Sequence, residues 1–390
     1  MPDAGGDPVT PAGAPETPSL SWRDRVLGWR DRLLADPAFH RFASRFWLTR
    51  PIVRREAAAL FDLTAGFVYS QVLAASVRLD LFRHLANAPR TSEWLASRTG
   101  LPSREVERLL EAGEALRLFG RRSQNRWGLG QLGAAVNGTP GLPEMIRHHA
   151  LLYDDMTDPV ALLRTEGREA SLHSYWTYAQ TGVSGGLSAE EVTEYSALMA
   201  ASQRMLSDDI LDTFSIDRFD GLLDVGGGEG EFILRAADRS RSSRLAMFDL
   251  PAVADIARRR IHDAGLASRV RAIGGDFLEN GLPDGFEAIS LIRVLYDHDD
   301  QTVARILSAA RAALPPGGTL IVAEPMNGSG GEARVGAAYF GFYLLAMGGG
   351  RARSPQQIEA MLRAADFERI RVHSTAKPML IRAVSAKVPG

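Results

Sequence analysis

Gly221-Leu222-Leu223-Asp224-Val225-Gly226-Gly227-Gly228-Glu229-Gly230-Glu231 reads as a short apolar strand running into a glycine turn and then the start of a helix. Glycines suit such a turn because the backbone bends tightly and must approach a ligand with no Cβ in the way. A dinucleotide fingerprint, G-x-G-x-x-G, would place its last glycine at 231, where Glu231 stands, so the phrase reads as G-x-G-x-G. In dinucleotide enzymes this turn cradles a pyrophosphate at a helix N-terminus. Glu229 and Glu231 put negative charge at that place, which suits a sulfonium nucleoside with an amino-acid tail better than a phosphate.

Working outward, strand and helix alternate. Strands are expected at Gly221–Val225, Arg244–Phe248, Val270–Ile273, Phe286–Arg293 and Thr319–Ala323, with helices opening at Glu231 and covering Ala252–Ala264 and Gln301–Leu314. That rhythm specifies a parallel sheet of the α/β, Rossmann-like kind. Two final strands, Arg369–Ser374 and Met379–Ala386, joined by a turn at Lys377-Pro378, predict a C-terminal antiparallel hairpin that a plain dinucleotide-binding domain lacks. Asp249 ends the second strand, nineteen residues past Gly230, where a carboxylate can accept ribose hydroxyls. Gly274-Gly275-Asp276-Phe277 follows the third strand and offers a carboxylate and an aromatic face to an adenine.

The 390 residues exceed what one core usually supports, so two domains are the starting expectation. Residues 1–20 read as a disordered tail without the basic leader or apolar core of a targeting peptide. Residues 21–55 carry Trp22, Val26, Trp29, Leu33, Phe39, Phe42, Phe46 and Trp47 at roughly helical spacing, with nine arginines against three aspartates. These predict short basic amphipathic helices that pack on a partner or lie on an anionic membrane. Residues 56–138 predict an α-helical winged-helix domain, with a helix-turn-helix phrase at Ser92–Leu118, Ser103 as an N-cap and a β wing around Trp127. Its basic and acidic residues balance, so nucleic acid is not the expected partner. Residues 139–216 read as a helical linker lining a substrate pocket, and residues 217–390 as the catalytic domain.

A formal net charge of -2 fits a soluble protein with no strong long-range field. The absence of Cys removes thiolate chemistry and fits a cytoplasmic protein, peripheral to a membrane at most. The apolar runs read as too interrupted to span a bilayer.

Asp224–Gly230, Phe248–Pro251, Gly274–Phe277 and Leu314–Pro325 together resemble the class I methyltransferases of the winged-helix, dimeric O-methyltransferase type, found in plant phenolic and bacterial pigment or antibiotic pathways. Arg45–Pro51 and Phe61–Gln71 are in turn similar to the bacterial O-methyltransferases of acyclic carotenoids. The resemblance implies a homodimer that binds S-adenosylmethionine without a metal and methylates a hydroxyl of a lipophilic acceptor. It places Gly226, Gly228, Asp249, Asp276, Phe277 and Arg293 around the cofactor. Trp176, Met199, Phe340, Phe342, Tyr343, Leu344 and Met347 are expected to wall the acceptor pocket.

The pattern breaks at the base. Plant members carry a catalytic histidine where Tyr296 stands, flanked by two carboxylates; Glu324 matches one, and the other falls at Ala352. Tyr296 is therefore expected to orient the acceptor hydroxyl or relay its proton, with Glu324 behind it. His298 is expected to be a surface or helix-capping residue, and His148 and His149 to be pocket or packing residues. A polyketide or phenolic acceptor and a non-catalytic winged-helix regulator remain the alternatives.

Overall fold

A computed structural model describes residues 21–174, 203–204, 206–240, 244–279, 281–328 and 334–390. The chain divides into two units, Met1–Gln71 and Val72–Gly390.

In the first unit, α1 spans Trp22–Ala35 and α2 spans Pro37–Arg45. Ser21 and Asp24 form a capping box at the start of α1, and Asp36 caps α2 by accepting from Ala38 N at 2.8 Å. A third helix, α3, begins here and runs unbroken over Arg50–Arg78. Short helices were expected, but the sole proline, Pro51, sits in the tolerated first turn and nothing lies within reach of the Gly66 Cβ position. By length and composition alone α3 is long and apolar enough to cross a bilayer, with Asp62 inside its apolar run.

The second unit opens on a small helical core of Leu81, Phe82, Leu95, Leu110 and Phe119. Thr91 caps the helix Ser92–Thr99, and Gly100 ends it in the left-handed region at φ 73°. Ser103 begins the next helix rather than capping it, because Pro102 holds the cap position. The wing forms as β1 (Phe119–Arg122) and β2 (Arg126–Leu129), paired antiparallel. Trp127 is buried within it, donating Nε1–H to Glu107 at 3.2 Å under the Arg121 guanidinium.

The remaining strands are β3 (Gly221–Val225), β4 (Arg244–Asp249), β5 (Val270–Gly274), β6 (Ala288–Ile292), β7 (Thr319–Glu324), β8 (Glu368–His373) and β9 (Arg382–Lys387). They form one sheet in the order β5-β4-β3-β6-β7-β9-β8, parallel throughout except for β9, which is antiparallel to both neighbours. Alternate residues feed cores on opposite faces. Leu223, Ile289 and Leu320 meet the helices Asp300–Ala313 and Pro355–Ala364, whereas Leu222, Ala288 and Ile321 meet Glu231–Arg239 and Pro251–Asp263. The chain leaves β3 toward β4 on one side and returns to β6 on the other. Their shared boundary is a topological switch point, and ligands of open α/β sheets bind beyond the strand ends there.

The terminal hairpin needs one correction. Its connection is longer than Lys377-Pro378, and β9 starts at Arg382 instead of Met379. The Ala376 and Lys377 amides both donate to the Asp209 carboxylate at 2.9 Å, and Leu380 N donates to Lys377 O, so this backbone is committed to a turn.

Candidate active site

The glycine turn at the end of β3 is built as its sequence requires. Gly226 and Gly228 hold φ of 69° and 56°, which side chains rarely adopt, and a Cβ on Gly226 would lie 2.7 Å from Val294 Cγ2. Behind the turn, Asp224 is buried, accepts from Ser290 Oγ at 2.6 Å, and leaves Oδ2 without a partner among the described residues. Burial pushes its carboxyl up to about 7, with the Ser290 hydroxyl pulling the other way. Asp249 stands opposite, its oxygens accepting from Gly228 N at 2.8 Å and Leu250 N at 2.7 Å. Burial raises its pKa as well, against those two amides.

Glu229 and Glu231 do not project their charge onto the turn unopposed. Arg260 bonds both, at 3.2 and 2.7 Å, and Arg204 also bonds Glu231, at 2.9 Å. The cradle therefore offers amides and buried carboxylates, and the nearby Arg260 is occupied. Such a donor set suits hydroxyls and an ammonium group, and among the described residues it lacks the free cation a pyrophosphate would use. Asp276 accepts from Leu278 N at 2.7 Å, and Phe277 stands edge-on to His298 with ring centroids 5.9 Å apart.

On the acceptor side, the turn after β6 carries Arg293, Tyr296, Asp297 and His298. Tyr296 is 1% exposed. Its hydroxyl accepts from Arg293 Nη2 at 3.0 Å and Nε at 3.3 Å, while its amide donates to Glu324 Oε2 at 3.0 Å. Arg293, expected among the cofactor residues, places its guanidinium on the Tyr296 hydroxyl. Its backbone holds a φ of 57° and its amide donates to Ala323 O at 2.8 Å. Burial disfavours the Arg293 charge, but the Tyr296, Tyr343 and Asp297 oxygens more than compensate and hold its pKa above the ordinary value. Burial also raises the Tyr296 phenol, over the opposing pull of Arg293, which keeps the hydroxyl protonated.

Glu324 has no exposure and is pushed up to about 8 by burial, against the pull of Arg353. It holds the Tyr296 main chain, not its hydroxyl. Ala352 occupies the place of the missing second carboxylate and packs on the same aromatic cluster. Next to it Arg353, 1% exposed, donates to Leu295 O and His298 O at 2.8 Å each and to Asp300 Oδ1 at 2.6 Å. Arg351 N donates to Tyr296 O at 2.6 Å, so residues 351–353 brace the turn from behind. His298 is half-buried and does not cap the following helix; Asp299 does, through Thr302 N at 2.7 Å.

Phe340, Tyr343, Leu344 and Met347 join Tyr296 in one buried cluster, with Phe342 partly buried against it. Phe340 meets Tyr296 edge-on at 6.4 Å. His148 and His149 approach the cluster through Tyr343 and Tyr339 hydroxyls at 3.2 and 2.7 Å. Burial lowers His148 to about 4 and lowers His149 too, so both imidazoles are neutral. Trp176 and Met199 lie outside the described residues.

Two functional groups were not singled out from sequence. Asp297 is pushed up to about 7 by burial despite Arg293, and its Oδ1 has no partner among the described residues. Its place beside Tyr296 was the available signal. The buried Arg353 had none, since nothing in Gly350-Arg351-Ala352-Arg353 marks which arginine turns inward.

The O-methyltransferase domain family matches residues 153–368, and the O-methyltransferase dimerisation domain family matches residues 61–136. Demethylspheroidene O-methyltransferase of Cereibacter sphaeroides is 41% identical over 351 residues, covering 90% of this chain and 92% of that protein. The protein of the same name from Rhodobacter capsulatus is 39% identical, covering 89% and 86%. The crystal structure of human N-acetylserotonin methyltransferase in complex with SAM aligns with a TM-score of 0.69 at 21% identity, covering 86% of this chain and 99% of that one, which establishes the shared fold.

Proposed function

This chain belongs to the O-methyltransferase family and carries that family's dimerisation domain, and from that premise we propose that it moves a methyl group from S-adenosylmethionine to the hydroxyl of a hydroxylated acyclic carotenoid. It acts as a homodimer and takes this lipophilic acceptor from a membrane surface. Residues 56–138 serve dimerisation, residues 139–216 the acceptor pocket, and residues 217–390 the methyl donor. The two relatives that match most of this chain are named for demethylspheroidene, which supports the acceptor class.

Gly226, Gly228, Asp249, Asp276 and Phe277 would hold the donor, and the Asp224 carboxyl, whose Oδ2 lacks a partner among the described residues, would offer an acceptor to its ammonium group. When bound, S-adenosylmethionine supplies an electrophilic methyl on a sulfonium centre. The Tyr296 phenol keeps its proton and donates a hydrogen bond that orients the acceptor oxygen, because Arg293 already fills the oxygen side of that phenol. An aliphatic alcohol is too weakly acidic to be deprotonated in advance, so alignment comes first and proton removal accompanies or follows attack. Asp297 Oδ1 takes the proton; it and Glu324 Oε1 are carboxylate oxygens near Tyr296 that lack a hydrogen-bond partner among the described residues. Phe340, Tyr343 and Met347 exclude water and guide the apolar chain.

Tyr296 carries this reading. A buried phenol clamped by an arginine, where plant relatives have histidine, suits an acceptor that needs orientation more than a strong base. Incubation with labelled methyl donor and either a hydroxylated acyclic carotenoid or simple phenols tests it. Label on the carotenoid hydroxyl is expected, and transfer to phenols alone overturns the assignment.

A further inference from the structure

Helix α1 contains a doubled seven-residue phrase, Trp22-Arg23-Asp24-Arg25-Val26-Leu27-Gly28 followed by Trp29-Arg30-Asp31-Arg32-Leu33-Leu34-Ala35. At about 100° per residue, seven residues make nearly two turns, so each position returns to the same side of the helix. Trp22, Val26, Trp29 and Leu33 form one stripe. Arg23 and Arg30 flank it on one side and Arg25 and Arg32 on the other, while Asp24 and Asp31 lie opposite. The stripe is not consumed by the fold: Trp22 is 66% and Trp29 61% exposed, and α1 buries no residue.

We propose that α1 lies in the plane of an anionic lipid bilayer, with Trp22 and Trp29 at the boundary of headgroups and acyl chains and the four arginines on the headgroup phosphates. Tryptophan presents an apolar body with a polar tip to that boundary, and arginine side chains reach sideways from a helix flank to phosphate. Each aspartate is turned away and already engaged, Asp24 in the Ser21 capping box and Asp31 with Arg30. That exposed pair is weak enough to exchange for a phosphate. The charge is local: of 45 basic and 47 acidic residues in the chain, nine and three lie between Ser21 and Arg55, so an anionic surface attracts this segment and not the remainder. Two repeats are too few for a coiled coil with a second copy, and both matched family ranges begin downstream of α1. Spanning is a different matter for α3, where Asp62 in the middle of the apolar run would cost roughly 3 kcal/mol at the bilayer centre.

The proposal rests on the lipophilic-acceptor reading for its purpose but not for its test, which needs no acceptor. Flotation of the full chain with phosphatidylglycerol-containing vesicles is expected to recover at least roughly tenfold more protein than with phosphatidylcholine alone, and high salt should abolish the difference. W22S/W29S should lose binding to anionic vesicles, R23Q/R25Q/R30Q/R32Q should lose the preference for them, and D24N/D31N should strengthen it. Circular dichroism and sedimentation equilibrium of each variant separate docking from misfolding or subunit contact. Equal recovery with both vesicle types overturns the proposal, as does a W22S/W29S protein that binds vesicles normally but no longer dimerises. Vesicle binding without methyl transfer to any hydroxycarotenoid would remove the acceptor assignment and leave the docking helix standing.

Discussion

At Tyr296 the side chain and the main chain answer to different partners. Arg293 holds the hydroxyl and Glu324 holds the amide, so substituting the ring's oxygen should alter chemistry while leaving the turn in place. Tyr296→Phe is expected to lower kcat by about 10–100-fold with little change in S-adenosylmethionine affinity measured by calorimetry. Unchanged turnover would take Tyr296 out of the chemistry. Asp297 must be ionised to receive a proton, and burial places it at about 7. The single-turnover rate should therefore rise with pH through about 7 and then level off, with the rise surviving in Tyr296→Phe and vanishing in Asp297→Asn. Sequence made Asp249 and Tyr296 legible, because Asp249 ends one strand and Tyr296 follows another by four residues, and both strands have an unmistakable apolar pattern. The partner of Arg293 was hidden, since its direction depends on one left-handed dihedral that arginine seldom adopts.

At the scale of elements, the site is a turn after β6 held between β7 and the segment before the helix Pro355–Ala364. Arg353 fixes that turn by satisfying two carbonyls, and its ion pair with the exposed Asp300 adds little. Removing it strands the His298 carbonyl at about 1–3 kcal/mol before relaxation, whereas Leu295 O keeps the His298 amide as a donor. Arg353→Met should thus lower stability by about 1–3 kcal/mol in urea titration and depress kcat through the displaced Tyr296; a stability within experimental error of the native protein would refute the bracing role. The glycine turn makes the matching case on the donor side. Gly226→Ala adds a Cβ at φ 69° against Val294, costing about 1–2 kcal/mol in backbone strain alone, and S-adenosylmethionine binding should weaken in calorimetry. Elements with a clear period, such as β3 and the helix Glu231–Arg239, were legible to within a residue or so. The hairpin connection was not, because it is set by Asp209, more than 160 residues away in sequence. The length of α3 was missed for the opposite reason: Asp62 and Gly66 look like interruptions in a string but do not break a helix.

For the molecule as a whole, three carboxyls sit where charge is poorly tolerated: the buried Asp224 near 7 and Glu324 near 8, and the partly buried Asp297 near 7. Their folded values lie above those of an unfolded chain, so the native state binds protons more tightly. The stability this gives is fully present below the unfolded values near 4 and is lost as pH rises through about 7–8. Each group contributes a slope of up to about 1.4 kcal/mol per pH unit across its window. Glu324→Gln keeps an oxygen for the Tyr296 amide but has no proton to lose. The variant should therefore unfold with a pH dependence between 5 and 8 that is shallower by about one proton, measured by urea titration at several pH values. An unchanged slope would mean that Glu324 stays ionised in the fold, and the charge of Arg353 would then outweigh the cost of its burial. A cofactor pressing its own positive charge against Asp224 should act in the same sense, since it favours the ionised carboxylate and shifts the loss of stability at that site to lower pH while repaying it in binding.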